Sequence, residues 1–139
     1  MVSALKLVGD RYQLEERQRL AVMRSACAEE SILHRQSKCI SLDRVDDQIV
    51  QIDGYNVLTS VEAAIGDGVI LQARDGCFRD MASMHGTYRK VGETLPALRL
   101  IGEYLAAHGV KNCHWYLDSP VSNSGRLKAI MMEVARDAG

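Results

Sequence analysis

Three aspartates stand where short apolar runs give way to turn residues. Asp53 closes Gln48-Ile49-Val50-Gln51-Ile52, with Gly54 next and Asn56 in the turn that follows. Asp75 follows the run Val69 to Ala73, and Asp80 comes five residues later. Asp118 closes the run Asn112 to Leu117, with Ser119 beside it. In open α/β sheets, ligands gather outside the carboxyl ends of the strands. An oxygen-rich cluster there suits a hard divalent cation such as Mg²⁺ or Mn²⁺. Such an ion orients an attacking water and steadies a phosphoryl group. Asp and Asn are also favoured in turns for local reasons, but two on successive strands of one parallel sheet weigh toward function. Glu62 ends Thr59-Ser60-Val61-Glu62, which reads as a capping box with Thr59 as N-cap; the same carboxylate can also face the metal. The stretch Arg79 to Lys90 gathers Arg79, Asp80, His85, Tyr88, Arg89 and Lys90. Its cations can hold phosphate, and its histidine titrates near neutral pH.

These residues need elements to position them. Ser3 to Val8 reads as a short helix stopped by Gly9-Asp10, and Leu14 to about Ser31 as a longer one with Leu20, Met23, Ala26 and Cys27 at helical spacing. Together they resemble a helix-turn-helix hairpin, or a helical cap on the domain that follows. His34 to Lys38 reads as a basic linker, which places a helical head at residues 1–42 and an α/β domain at 43–139. Within the latter the expected strands are 48–52, 69–73 and 112–117. Helices are expected from Thr59 to about Gly66, from Leu95 to His108 (closed by Gly109), and from Gly125 to Ala138. This alternation predicts right-handed crossovers and a parallel sheet. The last helix is where a doubly wound domain would return to another strand, so the chain reads as a fragment or a minimal version.

Composition narrows the classes. With 139 residues and 47% hydrophobic residues, the chain can build a core. Aromatics are 5%, fewer than a nucleic-acid binder working mainly by base stacking on aromatic platforms would want. Net charge is -1, but residues 1–42 hold seven Lys/Arg against five acids, a basic head on an acidic body. No apolar run approaches a membrane span and no basic-then-apolar leader opens the chain, so it reads as cytoplasmic and not membrane-bound. The four cysteines lack a Cys-x-x-Cys pair; Cys27, His34 and Cys39 are the nearest to a cluster and read as bystanders.

The segment Ile52-Asp53-Gly54-Tyr55-Asn56-Val57-Leu58 resembles the opening motif of the NYN branch of the PIN-like ribonuclease superfamily, and Leu117-Asp118-Ser119-Pro120-Val121-Ser122 resembles a second acidic strand end of that fold. The chain also resembles a family of uncharacterised prokaryotic proteins that join a short helical head, here Ala4 to Tyr12, to such a domain. Phe78-Arg79-Asp80 and His85-Gly86-Thr87-Tyr88-Arg89 look like recurrent motifs of that family. The resemblance implies a Rossmann-like, PIN-like three-layer domain with a parallel sheet behind the helical segment. It implies Mg²⁺- or Mn²⁺-dependent cleavage of RNA phosphodiesters. Asp53 and Asp118 would be metal ligands, with Asp80 or Glu62 as supporting acids. A final strand with a Ser/Thr-x-Asp acid, usual in PIN-like nucleases, has no counterpart before Gly139. The expectation is that the chain was cut, that a neighbouring subunit supplies this acid, or that the site is incomplete.

The leading expectation is therefore a nuclease domain with catalytic Asp53, Asp118 and Asp80, metal ligands Asp53, Asp118 and Glu62, and substrate contacts from Asn56, Arg79, His85, Arg89, Lys90 and Ser119. RNA is the expected partner, with DNA as the other polymer, and a homodimer would cover an exposed strand edge. The alternative is a non-catalytic nucleic-acid-binding or regulatory module. A phosphotransferase using Asp53 as nucleophile would want a second Asp at position 55, where this chain has Tyr55.

Overall fold

The computed structural model describes residues 2–81, 91–118 and 121–138. It is a mixed α/β structure with an N-terminal helical segment and a short two-stranded parallel sheet. The chain divides into two units, Met1–Cys39 with Val69–Met81, and Ile40–Gly68 with Ala82–Gly139.

The first unit holds α1 (Val2–Arg11), α2 (Glu16–Ser25), α3 (Glu29–Lys38) and a two-stranded hairpin described below. Helix α1 runs through Gly9-Asp10 instead of stopping there. A mid-helix glycine costs only about 1 kcal/mol. Here it leaves room for the Arg19 guanidinium, which a Cβ at Gly9 would strike and which pairs with Asp10 at 3.0 Å. Glu15 opens α2 through a reciprocal capping box with Gln18. The single helix expected from Leu14 to Ser31 is instead two, parted at Ala26 to Ala28 by extended backbone. Periodicity cannot see the cause, which is distant in sequence. The Arg74 amide donates to the Ser25 carbonyl at 3.0 Å, and its guanidinium to the Cys27 carbonyl at 3.1 Å. The stretch His34 to Lys38, expected as a linker, is the last half of α3.

In the second unit, β1 (Ile49–Asp53) leads directly into α4 (Gly54–Ile65). Two further strands, β2 (Ile70–Gln72) and β3 (Phe78–Asp80), belong to the first unit, and α5 (Thr94–Ala107), β4 (Asn112–Tyr116) and α6 (Ser124–Ala138) return to the second. The run at 69–73 is thus not a strand of the parallel sheet. Gly76, at φ +81°, closes a tight turn, and β2 pairs antiparallel with β3. That left-handed conformation is available to glycine at no steric cost. The parallel sheet is β1 beside β4, in register from Ile49↔Asn112 to Asp53↔Tyr116. Its inner face packs on a core of Tyr55, Leu58, Ala97, Leu98 and Leu127. The helix expected to start at Thr59 starts five residues earlier, so Thr59 is not a cap; its hydroxyl donates back to the Tyr55 carbonyl at 2.7 Å. Glu62 is buried in the α4–α5 contact and accepts a 2.6 Å hydrogen bond from the Thr94 hydroxyl.

The hairpin turn of the first unit is held by charge. Arg79 grips Asp75 with two hydrogen bonds of 2.8 and 2.7 Å, Arg35 pairs with the same carboxylate, and the Cys77 amide donates to it at 3.2 Å. The hydrogen bond from Arg79, foremost, holds the Asp75 carboxyl well below the usual carboxylate range. A depressed folded-state pKa stabilises the protein above the unfolded value and loses that contribution as pH falls toward the folded one. We expect Asp75→Asn to unfold more readily than the native chain at neutral pH. The gap should close as pH drops below roughly 4, the ordinary aspartate value. Urea melts at pH 7 and pH 3 check this, and a gap equal at both pH values would refute the assignment.

Candidate functional site

The in-register pairing of β1 and β4 decides the geometry. Strand neighbours lie ~4.8 Å apart, and Asp53 is opposite Tyr116, so Asp118, two residues on, leaves the same end of the adjacent strand. Both carboxylates are exposed. The amide of Asn56, in the first turn of α4, donates to Asp53 Oδ2 at 2.7 Å and fixes that carboxylate's orientation.

Gly54 is what lets this end close up. A Cβ on it would lie 2.7 Å from Leu117 Cδ2 and 2.8 Å from the Tyr116 carbonyl oxygen. Only a residue without a side chain allows α4 to start hard against the end of β4. Tyr55 then turns inward and is buried. Burial pushes its phenol up from the ordinary value, the Asp118 charge adds to the rise, and a hydrogen bond with the Ser124 side chain offsets part of it. Tyr55 therefore links α4, the Asp118 strand end and the start of α6. The first-turn N–H groups of both helices lie at this end of the sheet, where they favour negative charge.

The expected site residues divide as follows. Asp53 and Asn56 are hydrogen-bonded to each other, and Asp118 leaves the same end of the adjacent strand. Glu62 does not join them: it lies eight residues along α4 from Gly54, ~12 Å at the helical rise, and its carboxylate serves the contact with Thr94. Asp80 and Arg79 are in the first unit. Asp80 is buried with Arg24 at 3.9 Å, and Arg79 is committed to Asp75, a bond that raises its own pKa. His85, Arg89, Lys90 and Ser119 lie outside the described residues. Sequence reasoning passed over Gln51, His114 and Tyr116, which share the outward face of the sheet with Asp53. The alternation of Asn112 to Tyr116 carried that signal.

Among the described residues, no three His, Cys, Asp or Glu side chains converge as a metal cage. The pair Asp53 and Asp118 nonetheless suits Mg²⁺ or Mn²⁺ chemically. Mg²⁺ keeps several waters and is commonly held by one or two carboxylates, and both carboxylates here are open to water. No helix among the described residues is long and apolar enough to cross a membrane.

Residues 42–139 match the family model described as Domain of unknown function (DUF5616), and residues 1–38 match Protein of unknown function (DUF434). The Uncharacterized protein MJ0935 of Methanocaldococcus jannaschii is 32% identical over 124 residues, which is 89% of this chain. The chain spans 59% of that relative's length. No solved structure matches it.

Replacing Gly54 by Ala should lower stability by about 1–3 kcal/mol, the usual cost of forcing an extra methyl into a closed contact. Chemical denaturation measures this. An unchanged midpoint would mean that the end of β4 yields freely and that Gly54 is not what sets the spacing of the two acids.

Proposed function

Because the chain belongs to the family described as Domain of unknown function (DUF5616), whose description states no activity, we propose its function from the site: a divalent-metal-dependent nuclease domain acting on RNA phosphodiesters. The observation that carries this reading is the pair Asp53 and Asp118 at the carboxyl ends of adjacent parallel strands. The fold that goes with it is Rossmann-like and PIN-like. Two parallel strands that each lead into a helix, β1 into α4 and β4 toward α6, support it.

In this reading Asp53 and Asp118 hold Mg²⁺ or Mn²⁺, which when bound supplies a more acidic water and neutralises charge on the phosphoryl oxygens. Asn56 keeps the Asp53 carboxylate in one orientation, so little rearrangement is needed on loading. Tyr55 is in the core behind this end of the sheet, where the Asp118 charge and the Ser124 side chain both act on its phenol. His85, Arg89, Lys90 and Ser119 keep their proposed role as substrate contacts, whereas Arg79 and Asp80 are assigned to the ion pairs of the first unit.

The test is cleavage of end-labelled RNA with Mg²⁺ or Mn²⁺, by the native chain and by Asp53→Asn and Asp118→Asn. We expect cleavage by the native chain only, abolished by EDTA. RNA binding should weaken as salt rises, as phosphate contacts require. Full activity in Asp53→Asn would overturn the reading. Binding without cleavage in all three proteins would favour a non-catalytic nucleic-acid-binding module.

A further inference from the structure

The second unit has an open apolar cleft that the Asp53–Asp118 end of the sheet does not use. It measures about 940 Å³ and lies between β4, α5 and α6. Asn112, Cys113, Trp115, Tyr116 and Leu117 all line it. Alternate residues of a strand point to opposite faces, so a cleft lined by both sets runs along the edge of β4. On its other edge β4 pairs with β1; on this one, among the described residues, it has no neighbouring strand. The Cys113 amide is taken instead by the Asn112 side chain, at 2.8 Å. The helical walls are apolar, with Leu98 and Leu105 from α5 and Met131, Met132 and Val134 from α6.

We propose that this cleft is the contact with a second copy of the chain, which docks across a two-fold axis with its α5 antiparallel to this one at Gly102. The proposal does not rest on the nuclease reading. Gly102 stands in the interior of α5 and lines the cleft. A glycine there costs about 1 kcal/mol against alanine. Packing within the chain does not demand it, because a Cβ at Gly102 would meet nothing within 4 Å among the described residues. What glycine permits is the close approach of another backbone. Arg99 and Glu103 line the cleft beside it, both exposed and, among the described residues, in no ion pair. Their order, cation before acid, is the weaker one for a pair within a single helix. Four residues apart, they share one side of α5 a turn from each other. A two-fold axis between them reverses the partner helix, so that Arg99 meets the partner's Glu103 and Glu103 the partner's Arg99. Lys128 and Asp137 complete the charged lining, two cations against two acids. The surface is therefore neutral and meets its own copy without net repulsion, whereas a polyanion or a strongly basic partner finds no matching field. A contact of this self-complementary kind closes on two copies.

The experiment is sedimentation velocity over a concentration series, with thermal melts to verify folding. The proteins are the native chain, Gly102→Gln, Arg99→Glu, Glu103→Arg and the double exchange of Arg99 and Glu103. We expect the native chain to pass from monomer to dimer as concentration rises, and no further. Gly102→Gln should stay monomeric where the native chain is dimeric. At a dilution where both are monomeric it should melt no lower than the native chain, because glutamine is the better helix former. Arg99→Glu and Glu103→Arg should each weaken association by roughly 10-fold or more, through like charges facing across the axis. The double exchange should restore it. A native chain that is monomeric at every concentration would overturn the proposal and leave the cleft to an unlike partner. Dimers indifferent to Gly102→Gln, failure of the double exchange to restore association, or assemblies growing beyond two copies would each overturn it as well.

Discussion

The approach of α4 to the end of β4 governs the second unit. A parallel pair of strands cannot be joined by a short turn, so β1 and β4 are matched across more than fifty residues of intervening chain. What secures their register at the Asp53 end is a packing constraint. Gly54 presses against the Tyr116 carbonyl, and Tyr55 is buried within reach of the Asp118 charge. Four consecutive residues thus do four different jobs. Asp53 offers a carboxylate, Gly54 permits contact, Tyr55 anchors the contact, and Asn56 orients the carboxylate.

Those jobs explain what could be read in advance. Asp53 and Asp118 were legible because a strand end is marked locally, by a β-branched run followed by turn-forming residues, and because the topology that pairs them follows from alternation of strands and helices. Helices α5 and α6 were legible for the same reason, their apolar spacing and caps being local. Thr59 was misread as an N-cap, with Glu62 completing its box, because Thr59-Ser60-Val61-Glu62 has the right letters in the middle of a helix. The strand before it hands over to α4 without a loop, and no propensity reports that handover.

The helical segment was less legible because its breaks are imposed from a distance. The gap between α2 and α3 is filled by Arg74 bonding to carbonyls nearly fifty residues away. Arg79 and Asp80, which looked like substrate and metal groups in a long irregular loop, instead belong to a hairpin whose turn is tied by Asp75. Charged residues clustered in sequence say little about whether they face water, a ligand or one another. Here burial and pairing decide, and both are tertiary facts.

The hairpin also has a bearing on how the chain emerges from the ribosome. Its residues are made only after β1 and α4, yet they complete the unit that starts at the N-terminus, and β1 in turn waits for β4. The two units are interleaved in synthesis, each holding an unfinished piece while part of the other is made. A cut at residue 40 would leave α2 and α3 without the arginine that bonds to the carbonyls between them. The sequence boundary between the two family matches is therefore a poor place to divide the protein for expression. The helical segment is an independent piece in the language of sequence families, but as a folding unit it is closed by a clasp borrowed from the middle of the chain.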